Sequence, residues 1–228
     1  MLIKSNDSIK LEEYQKAIEI NPKNADTYYN MGNAYSNLKE YDKAITAYQK
    51  AIEINPKNDS AYNNMGVAYD ELKEYDKAII AYQKAIEINP KLDVAYYNIG
   101  FAYANLKAYD KAIIFYQKAI EINLKDYMSY INLFELQLTL NQYFSLEKPF
   151  LLHFGDDKKV MMYYEMLRIL RSIATNSSYG ITVELWSEKY RDIELDCGWD
   201  EINRWLENMP DGEIKAELVE AIEVFKAH

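Results

Sequence analysis

Residues 25–58 read ADTYYNMGNAYSNLKEYDKAITAYQKAIEINPKN, and the chain says this twice more. Residues 59–92 keep 25 of those 34 positions, and residues 93–126 keep 24 of the 34 in the copy before them. A fixed period of this length means that each copy is one supersecondary unit, too small to bury its apolar face alone. Upstream, residues 8–24, SIKLEEYQKAIEINPKN, align with the second half of a copy: Tyr14, Ala17 and Pro22 fall 34 residues before Tyr48, Ala51 and Pro56. This half copy lacks a first helix, and Asp7 or Ser8 is its expected N-cap.

Each full copy contains two helical patterns. The first runs for about a dozen residues from Tyr28, with Tyr28, Met31, Tyr35 and Leu38 at helical spacing. Gly32 recurs as Gly66 and Gly100 inside that helix. A mid-helix glycine costs about 1 kcal/mol, so its recurrence predicts a close approach by another helix. The second helix begins near Asp42 and aligns Ala44, Ile45, Tyr48, Ala51 and Ile52 on one face. Asn55-Pro56 and Asn89-Pro90 stop it, because a residue before proline is pushed out of helical geometry. In the third copy Leu124 replaces the proline, so that helix is expected to run on or turn differently.

The sequence Tyr62, Met65, Gly66, Tyr69, Ala78, Tyr82, Ala85, Pro90 resembles the tetratricopeptide repeat pattern, with tyrosine in place of the usual tryptophan. The resemblance runs over residues 8–154. It implies an all-α, right-handed α-solenoid of helical hairpins whose first helices line a concave groove.

Residues 127–154 form a degenerate fourth copy. Tyr130, Leu133, Leu140 and Tyr143 keep the register, but Phe134 replaces the glycine and Gln137 the tyrosine. Pro149 falls within the expected second helix, which therefore starts late, near Lys148, and His153 replaces a small alanine. Composition then shifts. Every arginine (Arg168, Arg171, Arg191, Arg204) and every tryptophan (Trp186, Trp199, Trp205) lies beyond residue 160. Residues 1–126 carry 18 acidic and 16 basic side chains, against 18 and 10 in residues 127–228. The expected division is a repeat array over 1–154 and an acidic helical module over 155–228. Helical patterns in the second part cover Lys159–Thr175, then Val183, Trp186, Tyr190 and Ile193, then Ile202, Trp205, Leu206 and Met209. The last is Ile214, Leu218, Ile222 and Phe225, after a turn at Pro210-Asp211-Gly212.

Chemistry-bearing residues are sparse. Two histidines (His153, His228) and one cysteine (Cys197) supply no zinc set and no nucleophile–base pair. No phosphate loop or dinucleotide fingerprint occurs. The expectation is a protein without metal or cofactor that is not an enzyme. A net charge of −10 without a basic cluster argues against nucleic acid. The absence of a signal-peptide core or a long apolar run argues against export or membrane insertion, and the single cysteine fits a reducing, cytoplasmic setting.

What remains is binding. The copies differ repeatedly at five first-helix positions: Asp26/Ser60/Val94, Tyr29/Asn63/Tyr97, Asn33/Val67/Phe101, Ser36/Asp70/Ala104 and Asn37/Glu71/Asn105. The resemblance places these on the concave groove. Drift of exposed positions explains the variability, but it does not explain the gain of Val94, Tyr97 and Phe101, and clustered exposed apolar groups mark binding surfaces. Asn30, Asn64, Asn98 and Asn132 do not vary. Asparagine is a poor helix former, and a carboxamide can pair with both groups of a peptide backbone. The series resembles the asparagine ladder of the repeat domain of O-linked N-acetylglucosamine transferase and of kinesin light chains. Its alternative role is bonding between neighbouring helices.

The candidate peptide groove is thus Asn30, Asn64, Asn98, Asn132, Tyr29, Asn33, Asn63, Val67, Val94, Tyr97 and Phe101. Family members that clamp a chaperone's terminal carboxylate use three basic residues where this chain has Tyr29, Val94 and Asn98, so that subclass is disfavoured. The expected partner is a protein or extended peptide, partly apolar and neutral or basic. The competing readings are self-association through the open N-terminal repeat face, a tail folded into its own groove, and an enzyme module in residues 155–228.

Overall fold

The computed structural model of the chain describes residues 6–140, 157–174, 183–190, 207 and 212–227. It divides into two compact units, Met1–Ile122 and Asn123–His228. The expected boundary at residue 154 lies outside the described residues. No strand occurs among the described residues.

The first unit contains α1 (Asn6–Ile20), α2 (Ala25–Asn37), α3 (Tyr41–Ile54), α4 (Asp59–Glu71), α5 (Tyr75–Ile88), α6 (Asp93–Asn105) and α7 (Tyr109–Ile122). The hairpins are α2–α3, α4–α5 and α6–α7. Each second helix also packs on the first helix of the next hairpin, and α2 touches α4 as α4 touches α6. The core crosses copy boundaries. Ala44, Ile45 and Tyr48 of the first copy cluster with Ala68 of the second, and Ala78 and Tyr82 of the second with Ile99 of the third. This is the nearest-neighbour burial the repeat period implies.

Local chemistry sets the boundaries. The first helix starts three residues before Tyr28, because the Asn24 side chain accepts from the backbone N–H groups of Asp26 (3.0 Å) and Thr27 (3.2 Å). Asn58 does the same for Ala61 at 2.9 Å. In α1 the helix already includes Asn6, so Asp7 lies in the first turn rather than at a cap, 3.5 Å from Lys10 Nζ. The α7 helix ends at Ile122 although Leu124 has replaced proline. The stop comes from asparagine: Asn21, Asn55, Asn89 and Asn123 each accept from the backbone N–H two residues on, at 3.0–3.2 Å. That turn forms without proline.

The recurring glycines have the expected cause. A Cβ on Gly32, Gly66 or Gly100 would stand 2.5–2.7 Å from a ring carbon of Tyr48, Tyr82 or Tyr116 respectively, each ring essentially fully buried. Between the paired helices Lys39, Lys73 and Lys107 hold φ of 58–60°. This is the left-handed conformation that β-carbons disfavour and that commonly closes a helix.

The second unit contains α8 (Tyr127–Leu140), α9 (Lys158–Ala174), α10 (Val183–Lys189) and α11 (Glu213–Lys226). In α8 the position of the glycine holds Phe134, which is buried and packs against Tyr164 of α9 at 4.9 Å. Trp186 is fully buried, donates its indole N–H to the Met162 carbonyl (2.8 Å) and meets the Phe225 ring edge-on at 4.6 Å. Buried Glu165 accepts from Lys189 at 2.7 Å and from the Tyr190 hydroxyl at 3.1 Å. The α9 helix is apolar and buried over most of its length, as its sequence suggests, but Ile214 on α11 is exposed rather than part of the packed face. Lys148, Pro149, His153, Ile193, Cys197, Ile202, Trp205, Leu206, Met209, Pro210 and Asp211 lie outside the described residues.

Candidate interaction surface

The first helices α2, α4 and α6 carry the eleven candidate residues except Asn132, and the structure sorts those ten into two groups. In the third copy Val94 and Phe101 are each 43% exposed despite being large and apolar. Phe101 lies parallel to Tyr97 at 6.5 Å, and Tyr97 leans on buried Tyr116 at 5.8 Å. A rigid aromatic wall results, backed by the core and open on one side. Val67 is half-buried and packs against the Ala78–Tyr82–Ile99 cluster.

The asparagines behave differently. Asn64 donates both amide hydrogens across to α2, one to the Tyr29 hydroxyl (3.1 Å) and one to Asn33 Oδ1 (3.0 Å). Asn33 Oδ1 also accepts from the Tyr48 hydroxyl at 2.8 Å. Asn63 is buried rather than groove-lining: it donates to Asn64 Oδ1 (3.2 Å) and accepts from Asn98 Nδ2 of α6 (3.3 Å). Two of the four ladder positions, Asn64 and Asn98, thus bond the first helices α2, α4 and α6 together in a seam, which is the alternative role named for the series. Its physical reason is reach: at this register one amide meets polar groups presented by the preceding first helix. Asn30, on the first of these helices, is exposed. In the second unit Asn132 bonds within its own helix, donating to the Met128 carbonyl at 3.0 Å.

The variable positions also include groups that do not face solvent. Ala104 is buried. Asp70 accepts from the Tyr82 hydroxyl. Burial lifts the Asp70 carboxyl to about 6, with Glu71 adding to the rise and the Tyr82 bond opposing it. Burial likewise raises Tyr82, and it pushes the Tyr48 hydroxyl up to about 12. Sequence reasoning missed these pairings, although polar residues 12–15 positions from a buried tyrosine were a readable signal.

Electrostatically the surface has one sign. The three first helices carry Asp26, Asp59, Asp70, Glu71 and Asp93 and no lysine or arginine. Among the described residues no group of His, Cys, Asp and Glu has metal-site geometry, and no helix is long and apolar enough to cross a membrane.

Comparisons with known proteins agree with this architecture. The tetratricopeptide repeat model matches residues 25–58, 60–92 and 94–126. No curated protein matches. Among solved structures, one titled "Crystal structure of MamA protein" is 36% identical at a TM-score of 0.50, covering 51% of this chain; the match spans 63% of that chain. A second, "Crystal structure of MamA", is 24% identical over 72% of this chain and 97% of its own, at a TM-score of 0.57. A third, titled "First TPR of Spaghetti (RPAP3) bound to HSP90 peptide SRMEEVD", is 25% identical at a TM-score of 0.50, covering 52% of this chain and 94% of that one. Residues 25–126 are three tetratricopeptide repeats, stacked as an α-solenoid.

Proposed function

We propose that this protein is an interaction scaffold whose α2–α4–α6 face docks an extended segment of another protein, with Val94, Tyr97 and Phe101 as the main apolar contact and Val67 beside them. The observation that carries this reading is the third-copy wall, where large apolar groups stay exposed in helices whose other faces are packed. Such anchors contribute most of the energy at interfaces, because rigid aromatic side chains lose little entropy on contact. The carboxylates of Asp26, Asp59, Glu71 and Asp93, with no cation on the same helices, favour a segment that is neutral or basic. An acidic peptide such as the one in the RPAP3 structure would meet only like charge there.

The bonded seam changes the role of the asparagines. Asn64 has both hydrogens committed to α2 and its carbonyl already accepts from Asn63, so it offers a ligand one remaining acceptor position. Asn98 commits one hydrogen, and Asn30 projects into solvent. Backbone pairing with a ligand is thus concentrated at Asn98 and Asn30, while Asn64 and Asn63 hold the wall in register. A peptide selected on the full chain from a random phage-displayed library supplies a probe. On titration the methyl resonances of Val67 and Val94 should move, and those of Ile80 and Ile114, which are exposed on the second helices, should stay. The opposite pattern would remove the groove assignment.

A further inference from the structure

Asp70 is a half-buried titratable group that the docking surface does not use. One carboxylate oxygen, Oδ2, accepts from the Tyr82 hydroxyl, while Oδ1 is buried with no hydrogen-bond donor among the described residues. An ion in that position is under-solvated, and it costs more than the neutral acid would. The arrangement belongs to one copy only, since the equivalent residue is Ser36 in the first and Ala104 in the third.

Among the described residues no cation pairs with the charge; Lys73, in the turn after α4, donates its backbone N–H to the Asp70 carbonyl at 2.8 Å. The α4 helix itself contributes Glu71, a second negative charge that accepts from Tyr41 of α3 at 3.0 Å. The lysines of α3 and α5 pair elsewhere. Lys43 and Lys77 bind Glu40 and Glu74, and Lys50 and Lys84 bind Glu53 and Glu87. The α2 and α6 helices, which touch α4, carry Asp26 and Asp93 and no cation.

We infer that Asp70 and Tyr82 form a proton-sensitive latch between the two helices of the middle repeat, loosened by a half-buried charge near neutral pH and tightened in mild acid. Protonation removes a charge that no cation pairs with, and this outweighs the weaker bond that Tyr82 makes to the neutral acid. The sign follows from linkage. The folded chain holds this proton up to about pH 6, against 3.8 when exposed. The stabilisation is therefore complete below the lower value and lost as pH rises through the upper one. This inference does not depend on the docking reading. It does, however, place a pH-dependent element at the centre of the stack, where both neighbouring repeats depend on it.

The test is urea unfolding of the full chain between pH 4.5 and 7.5, for wild type and for Asp70→Asn and Asp70→Ser. Asp70 retains some solvent contact, so its effect is smaller than a fully dry group would give. Relative to either variant, the wild-type folding equilibrium constant should rise roughly tenfold from pH 7.5 to 4.5. Carboxyl-carbon NMR of the wild type should show one aspartate titrating near pH 6, absent in Asp70→Asn. Parallel pH profiles in all three proteins would overturn the latch, as would an Asp70 carboxyl titrating at an ordinary value. The second outcome is readable even if neither variant folds.

Discussion

Replacing Gly66 by alanine should destabilise the repeat array, although alanine is the better helix former by about 1 kcal/mol. The added Cβ would lie 2.5 Å from Tyr82 Cε1, 2.6 Å from Cδ1 and 2.9 Å from Cζ. Carbon contacts are comfortable at about 3.5–4.0 Å, so the ring must withdraw by about 1 Å. It has little room to do so. Tyr82 is fully buried and its hydroxyl is tied to Asp70 on the same helix as the glycine. A contact this short belongs to the upper part of the usual overpacking range, about 2–3 kcal/mol, so after the propensity gain the net loss should be about 1–2 kcal/mol. The diagnostic experiment is a double-mutant cycle in urea, following helicity by circular dichroism. With Tyr82 shortened to leucine the clash disappears, and Gly66→Ala should then stabilise by about 1 kcal/mol, giving a coupling of about 2–3 kcal/mol between the two sites. If Gly66→Ala is neutral or stabilising in the wild-type background, or has the same effect in both, the close-approach explanation of the recurring glycine fails.

Other perturbations follow from the same geometry. Lys73→Gly relieves a side-chain-bearing residue at φ 60° and should raise stability by about 1 kcal/mol; a fall in the urea midpoint would contradict the strain argument. Asn64→Ala removes two inter-helix bonds and Asn98→Ala one longer bond. Urea midpoints should therefore show a loss of about 1–2 kcal/mol for the first and under about 1 kcal/mol for the second, with Asn30→Ala near neutral. The reverse order would mean that the asparagine series is kept for something other than stacking.

Most of the array was legible because repetition makes local signals add. Gly32, Gly66 and Gly100 announced a close approach, and the structure supplies its partners, Tyr48, Tyr82 and Tyr116. Helix ends were harder to read. Proline was visible as a stop, but the working device is the asparagine side chain, which is why Leu124 changes nothing. The three lysines with positive φ carried no sequence signal, since lysine has no preference for that conformation. The asparagine series shows the main limit. Its constancy was plain, but whether an amide turns to a ligand or to the next helix depends on distances of about 3 Å between residues 31 to 35 apart. Asn63 illustrates this, since it varies between copies like a groove residue and yet lies buried in the seam. Similarly, Phe134 in place of the repeat glycine read as decay, but in the structure it packs on Tyr164 and is part of the core of the second unit.

The central claim, that the third-copy aromatic wall is the docking surface, is tested most directly by the affinity of the library-selected peptide for Phe101→Ala. The Phe101 side chain is 43% exposed. An aromatic side chain offers about 150–250 Å² in all, so contact would cover about 90 Å². At about 25 cal/mol per Å² this contributes about 2 kcal/mol, a loss of about thirtyfold in Kd by isothermal titration. Ile80→Ala, which trims a more exposed apolar side chain on a second helix, should leave the affinity unchanged. Unchanged binding to Phe101→Ala, or equal losses in the two variants, would contradict the account.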